Sequence, residues 1–146
     1  MKSEIDVIYA LSSLLETEFP TIPIKDEDKA EGFDRSCFAI SVFDMEDGKV
    51  GEMDETNIDM SVFYFCKGLN SGFLELLNMK KALAELLQEP IKVDDDFYFT
   101  CDDLSFVISK SDKALSAEFS VQLVQYKEPD TEYYYMKNLV YKKEEV

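Results

Sequence analysis

The sequence predicts an α+β fold, a single mostly antiparallel β-sheet with two main helices packed on one face, in the order α-β-β-α-β-β-β. Three observations predict it. Apolar residues recur at helical spacing in two windows, 3–19 and 71–88, each stopped by a proline. Runs dense in β-formers occupy 37–43, 58–65, 97–100, 104–109 and 117–126. The last of these alternates apolar and polar side chains, the pattern of an antiparallel strand with one solvated face. Strands grouped in runs, with helices set between the groups, belong to a segregated layout.

In the first window Ser3 is a suitable N-cap with Asp6 three positions on. Ile5, Ile8, Leu11 and Leu15 form the stripe, Val7 and Leu14 widen it, and Pro20 ends it. A short extended piece, Ile22-Pro23-Ile24, precedes a polar loop over 25–34. The strand at 37–43 and the strand at 58–65 read as a β-hairpin with an unusually long connection, Asp44 to Asn57, rich in acids and holding Gly48 and Gly51. Connections of that length in small domains are often functional or mobile. Ser71 can cap the second helix, whose apolar face is Phe73, Leu76, Leu77, Met79, Leu83, Leu86 and Leu87, with Pro90 beyond it. Ile91 and Val93 follow, then strands at 97–100 and 104–109 around an Asp102-Asp103 turn. A turn at Ser111-Asp112-Lys113 leads into the final strand, with Phe119, Val121 and Leu123 on one face. Residues 1–128 read as one domain, and 129–146 as a C-terminal arm or a short helix.

Composition narrows the function. The chain has 146 residues, enough to bury a core without staples. Its 31 acidic against 15 basic residues give a net charge of −16. Nucleic acid binding runs on cations neutralising phosphates, so a direct nucleic-acid ligand is disfavoured, as is an anionic membrane. No apolar run reaches the length of a transmembrane helix, and the Met-Lys-Ser-Glu-Ile-Asp start lacks a signal-peptide core, so the expected compartment is the cytoplasm. Cys37, Cys66 and Cys101 are odd in number and widely spaced, and read as reduced, buried thiols.

Chemistry is sparse. Histidine is absent, which removes histidine-based nucleophilic catalysis and most zinc sites. Asp94-Asp95-Asp96 and Asp102-Asp103 invite a divalent cation, but an EF-hand register from Asp94 puts Phe99 where glycine belongs and Ser105 where glutamate belongs. Solvated turns are the better reading. Gly48-Lys49-Val50-Gly51 has neither the spacing nor the context of a phosphate loop. No catalytic residue, cofactor site or metal site is expected. Two surfaces are candidates for protein contact. One is the acidic connection, through Met45, Glu46, Asp47, Lys49, Glu52, Asp54 and Glu55. The other is Tyr133, Tyr134 and Tyr135, since tyrosine is favoured at interfaces; one or two of them packing on the domain's own core is the alternative.

Several stretches carry a resemblance. The first helix ends Leu15-Glu16-Thr17-Glu18-Phe19-Pro20 before the short strand at Ile22, and Gly32-Phe33 leads to Cys37-Phe38-Ala39-Ile40. The strand Val62-Phe63-Tyr64-Phe65, the helix at 73–87 and the last strand ending Tyr126-Lys127-Glu128 complete the pattern. In these the chain resembles the tail terminator (tail completion) proteins of tailed phages and prophages of Gram-positive bacteria. Ser36 and Cys66 stand where that pattern has proline. The resemblance implies a structural virion protein that caps the tail tube, meets the head-connector proteins and acts as a hexameric ring. DNA would pass through the ring without specific binding. It implies assembly in the host cytoplasm and residence in the virion tail. The alternative is an acidic nucleic-acid mimic of the anti-restriction type, which requires acids spaced like phosphates along one face, or another small protein-interaction module.

Overall fold

The computed structural model describes residues 2–25, 36–66, 72–110 and 112–126. Helix α1 spans Glu4–Glu18. The Ser3 backbone N–H donates to Asp6 Oδ2 at 2.8 Å, and Glu4 and Asp6 place negative charge at the positive end of the helix dipole. The helix closes with Phe19 N–H donating to the Leu15 carbonyl at 2.8 Å, just before Pro20. Its fully buried residues are Val7, Leu11 and Leu15, a single i, i+4 row. Ile5 lies roughly 200° round the helix from Val7 and is exposed, so the buried stripe is narrower than its apolar content.

Two long strands follow, β1 (Cys37–Val50) and β2 (Met53–Phe65), and their length corrects the sequence reading. The stretch 44–57 is not a long loop. It continues both strands in register from Asp44 opposite Asp59 to Val50 opposite Met53, leaving a two-residue turn at Gly51-Glu52. Gly51 takes a positive φ of 62°, which a hairpin turn with glycine in its first central position requires. Acids are poor β-formers, but here they are held by pairing on a neighbouring strand. Thr56 Oγ1 donates to Asp47 at 2.9 Å, and Lys49 pairs with Asp54 at 2.6 Å.

Helix α2 spans Gly72–Leu87 and buries Leu76, Leu83 and Leu87. Phe73 and Leu77, expected on its apolar face, are exposed, as is Leu74. Ser71, proposed as its cap, and Ser111 lie outside the described residues. Four strands complete the order: β3 (Ile91–Asp94), β4 (Phe97–Phe99), β5 (Asp102–Ser109) and β6 (Ala114–Gln125). The main sheet runs β1-β2-β6-β5, antiparallel throughout. The α+β class holds, with one difference in layout. Ile91 and Val93 belong to a strand of their own, and β3 with β4 forms a separate two-stranded sheet in which Ile91 faces Phe99. Asp102 and Asp103 are not a turn between strands but the start of β5, where the pairing slips between Asp102 and Ser105 and Asp103 adopts φ 56°. Aspartate is among the few residues that tolerate that conformation.

The strand period of two sorts side chains cleanly. Ile58, Met60, Val62 and Tyr64 of β2 lie beside Val121, Phe119, Ala117 and Leu115 of β6, all buried under the two helices and the β3–β4 ribbon. Phe38 sits at the centre of this core, with its ring 5.3 Å from Phe19 on one side and 5.3 Å from Tyr64 on the other. Its backbone fixes the segment after α1: Phe38 N–H donates to the Pro23 carbonyl, and the Lys25 N–H donates to the Phe38 carbonyl. The extended piece at 22–24 is thereby a parallel bridge, Ile24 to Phe38. Tyr64 donates its hydroxyl to Glu75 at 2.8 Å, tying β2 to α2, and burial pushes its phenol above the ordinary range. Gln125 exchanges two hydrogen bonds with the Lys2 backbone, both 2.8 Å, so the start of the chain is clasped to the far end of β6.

Candidate interaction surface

The side of the main sheet away from the helices has two zones. At the end nearer Cys37 it is apolar. Phe43 meets Phe63 edge-on at 6.4 Å, and Phe63 stacks on Phe65 at 5.9 Å. Cys37, Ala39, Phe65 and Ala114 form a second buried cluster there. Beside them is a shallow hollow of about 300 Å³, walled by Phe43, Phe63, Val107, Ser116 and Glu118. Phe43, on the outer strand β1, is 54% exposed and Val107, on the outer strand β5, 53%, large values for apolar side chains.

Toward the hairpin tip the same face turns acidic. The register aligns Asp44 with Asp59, Glu46 with Asn57 and Gly48 with Glu55. Across β2, Asp59 lies beside Ser120 and accepts its hydroxyl at 2.6 Å, while Ser61 lies beside Glu118. Glu118 also lines a second hollow of about 340 Å³ with Asp59, Asp103, Ser105 and Ser120. Both hollows are open and shallow.

The residues proposed from sequence as an interface are split by this geometry. Met45, Asp47, Lys49 and Asp54 lie on the helix side of the β1–β2 ribbon, and Glu46 and Glu55 on the opposite side. Glu52 is in the turn. The ribbon brings them together at its turn end, on two faces. Tyr133, Tyr134 and Tyr135 lie outside the described residues. The apolar zone at Phe43, Phe63 and Val107 was missed. Its signal was present in the alternation of Phe63 and Phe65 against the core-facing Val62 and Tyr64.

Three acids of the 94–102 stretch are engaged locally. Lys2 pairs with Asp94 and holds its carboxyl below the ordinary carboxylate range, Lys92 pairs with Asp95 at 2.8 Å, and Thr100 donates to Asp102 at 3.0 Å. Among the described residues no group of three carboxylates or thiols converges in a metal-binding arrangement. Cys37 and Cys66 are buried; Cys101 is half-buried, and burial with Asp102 nearby pushes its thiol up to about 12, away from nucleophilic use. No helix among the described residues is long and apolar enough to cross a membrane.

The family model described as "Phage tail terminator protein" matches residues 6–133. The chain belongs to that family. No curated protein matches it. A tail terminator is a structural protein of the phage tail, so its working surfaces are contacts with other tail and virion proteins. The matched span takes in all but the first two residues of α1, and the whole of α2 and of the six described strands, the β1–β2 ribbon included. The two departures from the expected proline pattern have different standing in the fold. Cys66 donates its backbone N–H to the Lys113 carbonyl at 2.8 Å, a bond proline cannot make, so this terminator extends the β2–β6 pairing by one step. Ser36 immediately precedes β1.

Proposed function

We propose that this terminator caps the growing tail tube and meets the head connector as a hexameric ring, through whose lumen DNA passes. The family membership over residues 6–133 carries the reading. The sheet order supports it physically. β1 and β5 are the outer strands, and from Phe43 to Val50 every residue of β1 is exposed. An edge of that length offers main-chain donors and acceptors to another chain, and contacts between unlike surfaces close into rings when the rotation allows. A net charge of −16 repels phosphates, so DNA slides past a wall of this composition instead of adhering to it. In this reading the contact residues are Met45, Glu46, Asp47, Lys49, Glu52, Asp54 and Glu55 on the ribbon, with Tyr133, Tyr134 and Tyr135 on the C-terminal segment. Assembly takes place in the host cytoplasm, with the tail tube protein and the head-connector proteins as partners.

Light scattering after size exclusion tests the ring. Salt screens the like charges of neighbouring subunits, so a discrete species of six subunits is expected to grow with ionic strength and protein concentration. A monomer at every salt and concentration contradicts self-assembly of the isolated chain and confines ring formation to the tail tip.

A further inference from the structure

We propose that the open face of the main sheet docks a basic segment of a neighbouring tail or neck protein. An apolar side chain of that segment would enter the Phe43–Phe63–Val107 hollow, and its lysines or arginines would lie along Glu118, Asp59 and Glu46. The proposal rests on the terminator reading only for where the partner comes from.

The occupant follows from charge. Among the described residues the four strands of the main sheet contain one basic side chain, Lys49, and it lies on the helix side of the ribbon, paired with Asp54. The open face therefore presents carboxylates with no cation of its own strands among them. Asp44 and Asp59 stand directly opposite each other across β1 and β2, an arrangement that destabilises a sheet. Asp44 accepts from the Met45 backbone at 3.0 Å and Asp59 from the Ser120 hydroxyl, neutral donors that leave both charges in place. A cation set between them relieves that repulsion. Glu118 lines both hollows, so a carboxylate stands at the border between the aromatic and acidic zones. A segment with one apolar anchor flanked by positive charge complements both zones at once. A second copy laid face to face would set these acids against their own likenesses, and like-charge repulsion opposes that arrangement.

The test uses the full-length isolated chain, so its outcome is independent of tail assembly. The probe is a fluorescein-labelled N-acetyl-Lys-Lys-Phe-Lys-Lys-amide peptide, compared with the same peptide carrying serine for phenylalanine. Binding is read by anisotropy and mapped by NMR on the isotope-labelled protein. The expected result is a shift map centred on Phe43, Phe63, Val107 and Glu118, with the phenylalanine peptide bound more tightly than the serine one. Glu118→Lys and Phe43→Ser each weaken it roughly tenfold. Glu16→Lys and Glu85→Lys, on the helices, change it by less than about twofold. Equal losses from the helix variants would mean general attraction to an acidic protein and would overturn the proposal. So would nuclear Overhauser contacts between residues 127–146 and Phe43 in the free protein, which would make the chain's own C-terminal segment the occupant. A self-association that Phe43→Ser abolishes would assign the face to a second copy and overturn the proposal as well.

Discussion

Phe38→Ala is expected to destabilise the protein by about 3–5 kcal/mol, the cost of removing a fully buried aromatic side chain and leaving its cavity. The position is worse than an average core site. Phe38 is the middle ring of the Phe19–Phe38–Tyr64 series, so its loss removes two ring contacts at once. Those contacts join the end of α1 to β1 and β2, and Tyr64 in turn holds Glu75 of α2. The expected thermal shift is a fall of roughly 10 °C, at about 2–4 °C per kcal/mol for a chain of this size. Phe43→Ala removes the same atoms from an exposed site and is expected to stay within about 0.5 kcal/mol. Paired denaturant titrations check both, and equal losses from the two would contradict the assignment of core and open face.

The second large effect is on assembly and leaves folding intact. The triple variant Glu46→Lys, Glu52→Lys, Glu55→Lys reverses three charges at the turn end of the β1–β2 ribbon. Glu46 and Glu52 are exposed and Glu55 is half-exposed, so melting is expected to move little. If the ribbon meets other subunits or tail proteins, reversed charges there cost several kcal/mol per close like-charge contact. Complementation of a phage lacking this chain is then expected to drop about tenfold or more. Glu16→Lys, Glu18→Lys, Glu85→Lys changes the net charge equally on the helices and controls for charge alone. Loss of joined particles with the helix triple, and not with the ribbon triple, would move the contact surface to the helices.

What could be read from the residues divides along physical lines. The helices were legible because proline stops and 3.6-residue spacing are local signals, and Pro20 and Pro90 stand just beyond their ends. The final strand was legible because each alternate residue, Phe119, Val121 and Leu123, faces a continuous core. The ribbon was not. Residues 44–57 are acidic and look like loop, and what makes them strand is the β6 partner on the far side of β2, reaching Gln125 opposite Asp54. That pairing is long-range and leaves no local trace. The same holds for β3, four residues with a single buried side chain, Ile91. On the surface, the acidic ribbon was visible in the residues but its two faces were not: they exist only once 44–57 is strand, and the slip in pairing between Val42 and Asp44 then sets which residues lie on which face. The aromatic zone left a signal in the alternation of Phe63 and Phe65 against Val62 and Tyr64, but alternation between two apolar sets does not say which face is the core.

If this chain ends tail growth, its loss leaves tail length unset. The decisive measurement is tail length by electron microscopy after the chain is deleted from the phage or prophage that encodes it. Tails of uncontrolled, extended length with heads left unjoined are expected, and normal length returns when the chain is supplied in trans. Tails of normal length joined to heads in its absence would contradict a terminator role.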